Sequence, residues 1–153
     1  NKGKKHILRI IRELLEFKPK SAKTSIDSSL KFLLSIIQKK AIVFVLSDFI
    51  DDNYDKSLKL AAKKYDLTGI RSYDQMETII PKLGFVPMID AETNELVWVD
   101  TLSKQIRENY SSNYNLSIKK FETLFNKNGA GVINCKVDES YVKKLLGYFK
   151  QRA

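Results

Sequence analysis

Apolar residues recur along this chain with two different periods. Ile7, Leu8, Ile11, Leu14 and Leu15 keep the 3.6-residue spacing of an amphipathic helix, and Lys18-Pro19 stops it. Ile26, Leu30, Leu33, Leu34 and Ile37 mark a second helix, opened by the polar stretch Lys23-Thr24-Ser25. The run from Ala41 to Leu46 is continuous and β-branched, the pattern of a strand covered on both faces in a parallel sheet. A third helix is expected from about Tyr54 to Tyr65, with Leu58, Ala61 and Ala62 turned inward. Leu67 to Tyr73 reads as a second strand, after which Asp74 and Gln75 begin a turn or short helix.

The next segment pairs two short runs, Phe85–Ile89 and Leu96–Val99, around the turn-forming Asp90 to Glu95. That is a β-hairpin with Pro87 suited to an edge and Trp98 expected in packing. A long helix from about Leu102 to Asn126 carries Leu102, Ile106, Tyr110, Tyr114, Ile118, Phe121 and Phe125 as a core stripe, and Asn128-Gly129 stops it. Val132 to Val137 is a third core strand, and Asp138 is expected to cap a last helix bearing Val142, Leu145, Leu146 and Phe149.

This alternation predicts a layered α/β domain over residues 1–153, with right-handed crossovers placing helices on both sheet faces. The strand at 41–46 reads as central, yet no strand precedes it, and the two opening helices have no sheet partner of their own. The chain therefore reads as the C-terminal part of a larger α/β unit. An unpaired edge at 41–46 with apolar faces favours association, so the chain is expected to self-associate through that strand or to recruit the missing half.

Composition narrows the setting. A hydrophobic content of 43% with eight Phe and seven Tyr supports one core. No apolar stretch approaches the roughly 20 residues of a bilayer span, and the basic, amphipathic N-terminus is no signal peptide. Cys135 is alone, so no internal disulfide forms; the thiol fits a reducing, cytoplasmic setting and a buried structural place. The net charge of +9 is concentrated in residues 1–40, where eleven Lys or Arg oppose Glu13, Glu16 and Asp27. Such a segment suits an acidic surface, solvent or nucleic acid. Phe17 and Phe32 are its only aromatics, which weakens base stacking and disfavours nucleic acid.

Candidate chemistry gathers in FVLSDFIDD, residues 44–52, because ligands of open α/β sheets bind beyond the carboxyl ends of strands. A dehalogenase-type phosphatase needs a D-x-D pair, and Ile50 stands where the second aspartate should be. A phospho-accepting aspartate needs acids at the end of an earlier strand, and none precedes this one. Asp51, Asp52 or Asn53 can cap the helix starting near Tyr54. Asp48 comes too early for that role and is left for a hard cation, with Thr24 a hydroxyl donor ahead of the second helix. His6 lacks partners and reads as an exposed helix residue. Gly69, Gly84, Gly129 and Gly131 form no phosphate cradle. No nucleophile has a recognisable base, which argues against an enzyme.

The succession KKHILRIIRELLEF, KTSIDSSLKFLL, IVFVLSDFID, YDLTGIRSYD and LVWVDT resembles the von Willebrand factor A-like proteins grouped as domain of unknown function 58. The resemblance implies a doubly wound, mainly parallel sheet with helices on both faces. It also implies a non-enzymatic protein-binding module, associated in bacteria with a MoxR-type AAA+ ATPase as protein partner. Domains of this type can carry a metal-ion-dependent adhesion site, in which Thr24 matches the second-loop threonine and Asp48 the third-loop aspartate. The first loop, D-x-S-x-S, is absent: Asp27-Ser28-Ser29 has Lys31 in place of the second serine, and Lys23 stands where glycine is common. Magnesium is thus expected in an intact domain and not in this chain alone.

Overall fold

The computed structural model describes residues 3–18, 24–89 and 95–152. Its elements are α1 (Lys4–Glu16), α2 (Ile26–Ile36), β1 (Ile42–Ser47), α3 (Asp55–Lys64) and β2 (Asp66–Tyr73). A 3-10 turn (Gln75–Thr78), β3 (Phe85–Ile89), β4 (Leu96–Asp100), α4 (Lys104–Lys127), β5 (Gly131–Lys136) and α5 (Tyr141–Arg152) complete the order. The helix-stopping Pro19, Lys23, and the hairpin tip at 90–94 lie outside the described residues.

β1, β2 and β5 form a parallel sheet in the order β1-β2-β5, and β3 with β4 forms a separate antiparallel hairpin. The strand expected to be central is thus an edge strand; β2 is central. Register explains the layering. Val43 pairs with Leu67, and Val45 with Gly69. That face joins Ile26 and Leu30 of α2, Leu58 and Ala61 of α3, and Phe121 and Phe125 of α4 in one core. Leu58, Phe121 and Phe125 are fully buried; each such side chain contributes about 1.5–3 kcal/mol by leaving water. On the opposite face Thr68 pairs with Gly131, and the Tyr148 hydroxyl of α5 lies 2.8 Å from Thr68 Oγ1. Helices therefore cover both faces, α2, α3 and α4 on one and α5 on the other.

α2 does find the sheet, unlike the expectation for the opening helices, because Ser25 caps it and turns Ile26 and Leu30 inward. The Ser25 hydroxyl accepts the Ser28 N–H at 3.2 Å. α1 buries none of its residues. Gly129 ends α4 at φ 72, a conformation glycine takes without a Cβ penalty.

Four further expectations need correction. Trp98 is 58% exposed, because the hairpin's face turns to water and its indole stacks only on Phe85, at 6.3 Å. The α4 stripe is core only toward its C-terminus; Leu102 and Ile106 run past the sheet and stay exposed. Asp138 stands three residues ahead of α5, and its carboxylate accepts a hydrogen bond from Lys136 Nζ at 2.8 Å rather than from a helix N–H among the described residues. In α5, Val142, Leu146 and Phe149 are exposed, while Leu145 and Tyr148 are partly covered. Cys135 is buried, as expected of a structural thiol.

Candidate functional site

The carboxyl end of β1 is shaped by a short polar relay. Ser47 Oγ accepts the Phe49 N–H at 3.1 Å and donates to Asp48 Oδ1 at 3.2 Å. The same Oδ1 accepts the Ile50 N–H at 3.2 Å, so Asp48 closes an Asx turn while staying exposed. Phe49 takes φ 58, a left-handed backbone that costs a non-glycine residue about 1–2 kcal/mol. The turn throws its ring inward, where it stacks on Phe121 at 4.0 Å and meets Phe125 edge-on at 5.3 Å. Buried aromatic pairs add about 0.5–1.5 kcal/mol each and offset that strain.

Asp51 positions the neighbouring helix. Its Oδ2 accepts the Ile26 N–H at 2.7 Å, at the first residue of α2. Asp51 thus caps α2, not the helix that follows it; α3 begins at Tyr54 without any side-chain cap. Asp52 pairs with Lys120 of α4. That hydrogen bond raises the Lys120 pKa, and the nearby charges of Asp52, Asp55 and Asp51 add to it. Burial first, then the charges of Asp51, Asp55 and Asp52, push the Tyr54 phenol up to about 12. Asp51 and Asp52 are therefore engaged with α2 and α4, whereas the bonds of Asp48 stay within its own turn.

By tying α2 to the loop, Asp51 brings Thr24 and Ser47 into one cleft of about 310 Å³ between α2 and β1. Leu30, Leu33, Val43 and Val45 supply its apolar wall. Thr24 is exposed on its rim, and Asp48 follows the lining residue Ser47 in sequence. Asp27 belongs elsewhere: it pairs with Lys31 at 2.6 Å, and hydrogen bonds from Lys31 and then Ser57 hold its carboxyl below the usual range.

As a magnesium site this donor set is thin. It offers one carboxylate, with one oxygen already accepting two hydrogen bonds, and two hydroxyls, against about six oxygens for magnesium. No group of three or more His, Cys, Asp or Glu among the described residues is placed to hold a metal. The residues present do not fit a resident ion unaided.

The sequence reading passed over Arg71, which pairs in register with Ser47 and is 3% exposed. Its guanidinium donates to Asn134 Oδ1 at 3.2 Å and to the Tyr114 hydroxyl at 2.9 Å, and lies 4.1 Å from the Tyr73 ring. Asn134 Nδ2 donates in turn to Glu122 Oε1 at 2.7 Å, so an amide relays the carboxylate's compensation to the buried cation. The place of Arg71 in β2 next to Ile70, two positions from the strand's Tyr73, was the available signal.

The family described as protein of unknown function DUF58 matches residues 1–119. The chain belongs to this family. The matched span of the DUF58 chain holds α1, α2, β1, the acidic loop, β2 and the hairpin, and ends within α4; β5 and α5 lie beyond it. No curated protein and no solved structure matches the chain.

Proposed function

We propose that this DUF58 chain is a non-enzymatic, von Willebrand factor A-like protein-interaction module that docks a partner along the outer edge of β1. One observation carries the reading. β1 ends the sheet, and among the described residues nothing pairs with its outer edge, although a cleft with an apolar wall runs alongside. Unpaired N–H and C=O groups on such an edge take an added polypeptide strand, with side-chain pockets giving selectivity. The resemblance noted in the sequence names a MoxR-type AAA+ ATPase as the partner to test. Thr24 and Asp48 then stand at the end of the docking edge, where Asp48 offers a free carboxylate oxygen to that partner.

Binding of a MoxR-type ATPase to the chain and to Phe44→Asp, compared by biolayer interferometry, tests this. A charge in the edge strand should weaken binding more than about ten-fold, since it is buried unpaired on docking. Equal binding by both would remove the edge as the site, and no binding at all would remove the ATPase. Chelator should leave the affinity unchanged; its loss would point instead to a cation at Thr24 and Asp48 completed by the partner. The rival reading, nucleic acid on residues 1–40, predicts that an oligonucleotide binds and is released steeply as salt rises.

A further inference from the structure

Helices of this chain hold cations against carboxylates one turn away. Arg9 pairs with Glu13 in α1, Lys31 with Asp27 in α2, and Lys104 with Glu108 in α4. α3 departs from that habit. It reads DKSLKLAAKK, and its Lys56, Lys59 and Lys63 are exposed and take part in no salt bridge among the described residues.

Spacing puts these three lysines on one line. Lys56 and Lys59 are three residues apart and Lys59 and Lys63 four, so like charges meet across each turn and repel. Helix-end electrostatics accounts for only part of the set. Lys63 lies with Lys64 in the last turn, where a cation meets the negative end of the helix dipole. Lys56 lies in the first turn, where the same dipole opposes it, and Lys59 stands between. Lys64 is engaged locally, its Nζ donating to the Leu34 carbonyl of α2 at 3.3 Å.

Leu60 completes the face. It is 59% exposed and stands four residues after Lys56 and three before Lys63. Leu58 and Ala61, both fully buried, fill the core from the opposite side of the helix, so the lysine line points away from the sheet. An exposed leucine rimmed by unpaired cations has the anatomy of a small interface, apolar at its centre and charged around it. We infer that the outer face of α3 docks an acidic helix of a partner protein. That helix would carry carboxylates at i, i+3 and i+7 against the three lysines and an apolar side chain on Leu60. Other polyanions match the face less well. Nucleic acid offers phosphates but nothing for Leu60, and α3 has no aromatic residue to stack a base. An anionic bilayer could take Leu60, but Leu58 and Ala61 are committed to the core and leave a single leucine to insert. The surface lies on α3 alone and does not rest on the docking edge of β1.

Fluorescence anisotropy with a labelled synthetic peptide tests the inference. The peptide is a helix of about 20 residues with Glu at those spacings around one leucine stripe, and its control is an isomer of the same composition with the acids scattered round the helix. The first should bind, and the isomer at least about ten-fold more weakly. Lys59→Glu should lower the affinity about ten-fold by setting like charges face to face. The same change puts a carboxylate four residues ahead of Lys63, an order that favours the helix, so the urea midpoint should not fall. Leu60→Ala should weaken binding about five-fold through lost apolar contact, and Phe44→Asp should bind the peptide as the wild type does. Equal binding of the two peptides, wild-type affinity in Lys59→Glu and Leu60→Ala, or loss of binding in Phe44→Asp would each overturn the inference. An oligonucleotide or phosphatidylserine vesicles bound through Lys59 while the peptide stays free would overturn it too, and would name the polyanion instead.

Discussion

Asp51 shows how one carboxylate sets the site. By accepting the Ile26 N–H it satisfies a helix-end donor and fixes where Thr24 stands relative to Ser47. Asp51→Ala should cost about 1 kcal/mol of stability, read from urea midpoints, and should speed amide exchange at Ile26 while α3 keeps its protection. Tyr54 gives a second residue-scale test. Its phenol is pushed up to about 12 in the folded chain, against about 10 when unfolded. The folded state holds this proton more tightly, so the stability linked to it is full below pH 10 and is lost as pH rises through about 12. Tyr54→Phe should therefore flatten the alkaline fall in urea midpoint that the wild type shows; parallel curves would refute the assignment. The capping chemistry of Asp51 was legible in the sequence, but the helix it serves was not. Its partner lies twenty-five positions away, and only packing brings the two together.

Among the elements, β1 was legible from its continuous β-branched run, and β2 and β5 from shorter apolar segments lying between helical patterns. The helices were legible from their apolar period. What a periodic stripe cannot reveal is what lies opposite it, and that is where the reading of Trp98, Leu102 and Ile106 failed. The contact between α4 and β2 is tighter than the pattern suggests. A Cβ on Gly69 would stand 2.6 Å from Phe125 Cε1 and 2.8 Å from Phe121 Cε2, rings with no free space to retreat into. Gly69→Ala should destabilise the chain by about 1–3 kcal/mol through overpacking, measured by urea unfolding; an unchanged midpoint would show that α4 can shift away from β2.

At the scale of the whole molecule, β1 and β5 are the outer strands of the sheet among the described residues. β2 is paired on both edges and sandwiched between helices, whereas β1 and β5 each have one partner among the described residues, and β1 exposes Ile42 and Leu46 on one face. That β1 is an outer strand of these three required the register. Asp48, singled out in the sequence, stands exposed just beyond the carboxyl end of β1. The tie from Asp51 to α2 and the Arg71–Asn134–Glu122 relay were not legible there, because each joins segments far apart in sequence.

Amide hydrogen exchange along Ile42–Ser47, followed as a MoxR-type ATPase is added, tests docking on the outer edge of β1 most directly. Alternate amides point to that edge and should exchange freely in the chain alone, then gain protection as the partner docks, while their neighbours bonded to β2 stay protected throughout. Uniform protection of all six residues before the partner is added, or exchange that does not respond to it, would contradict docking on this strand.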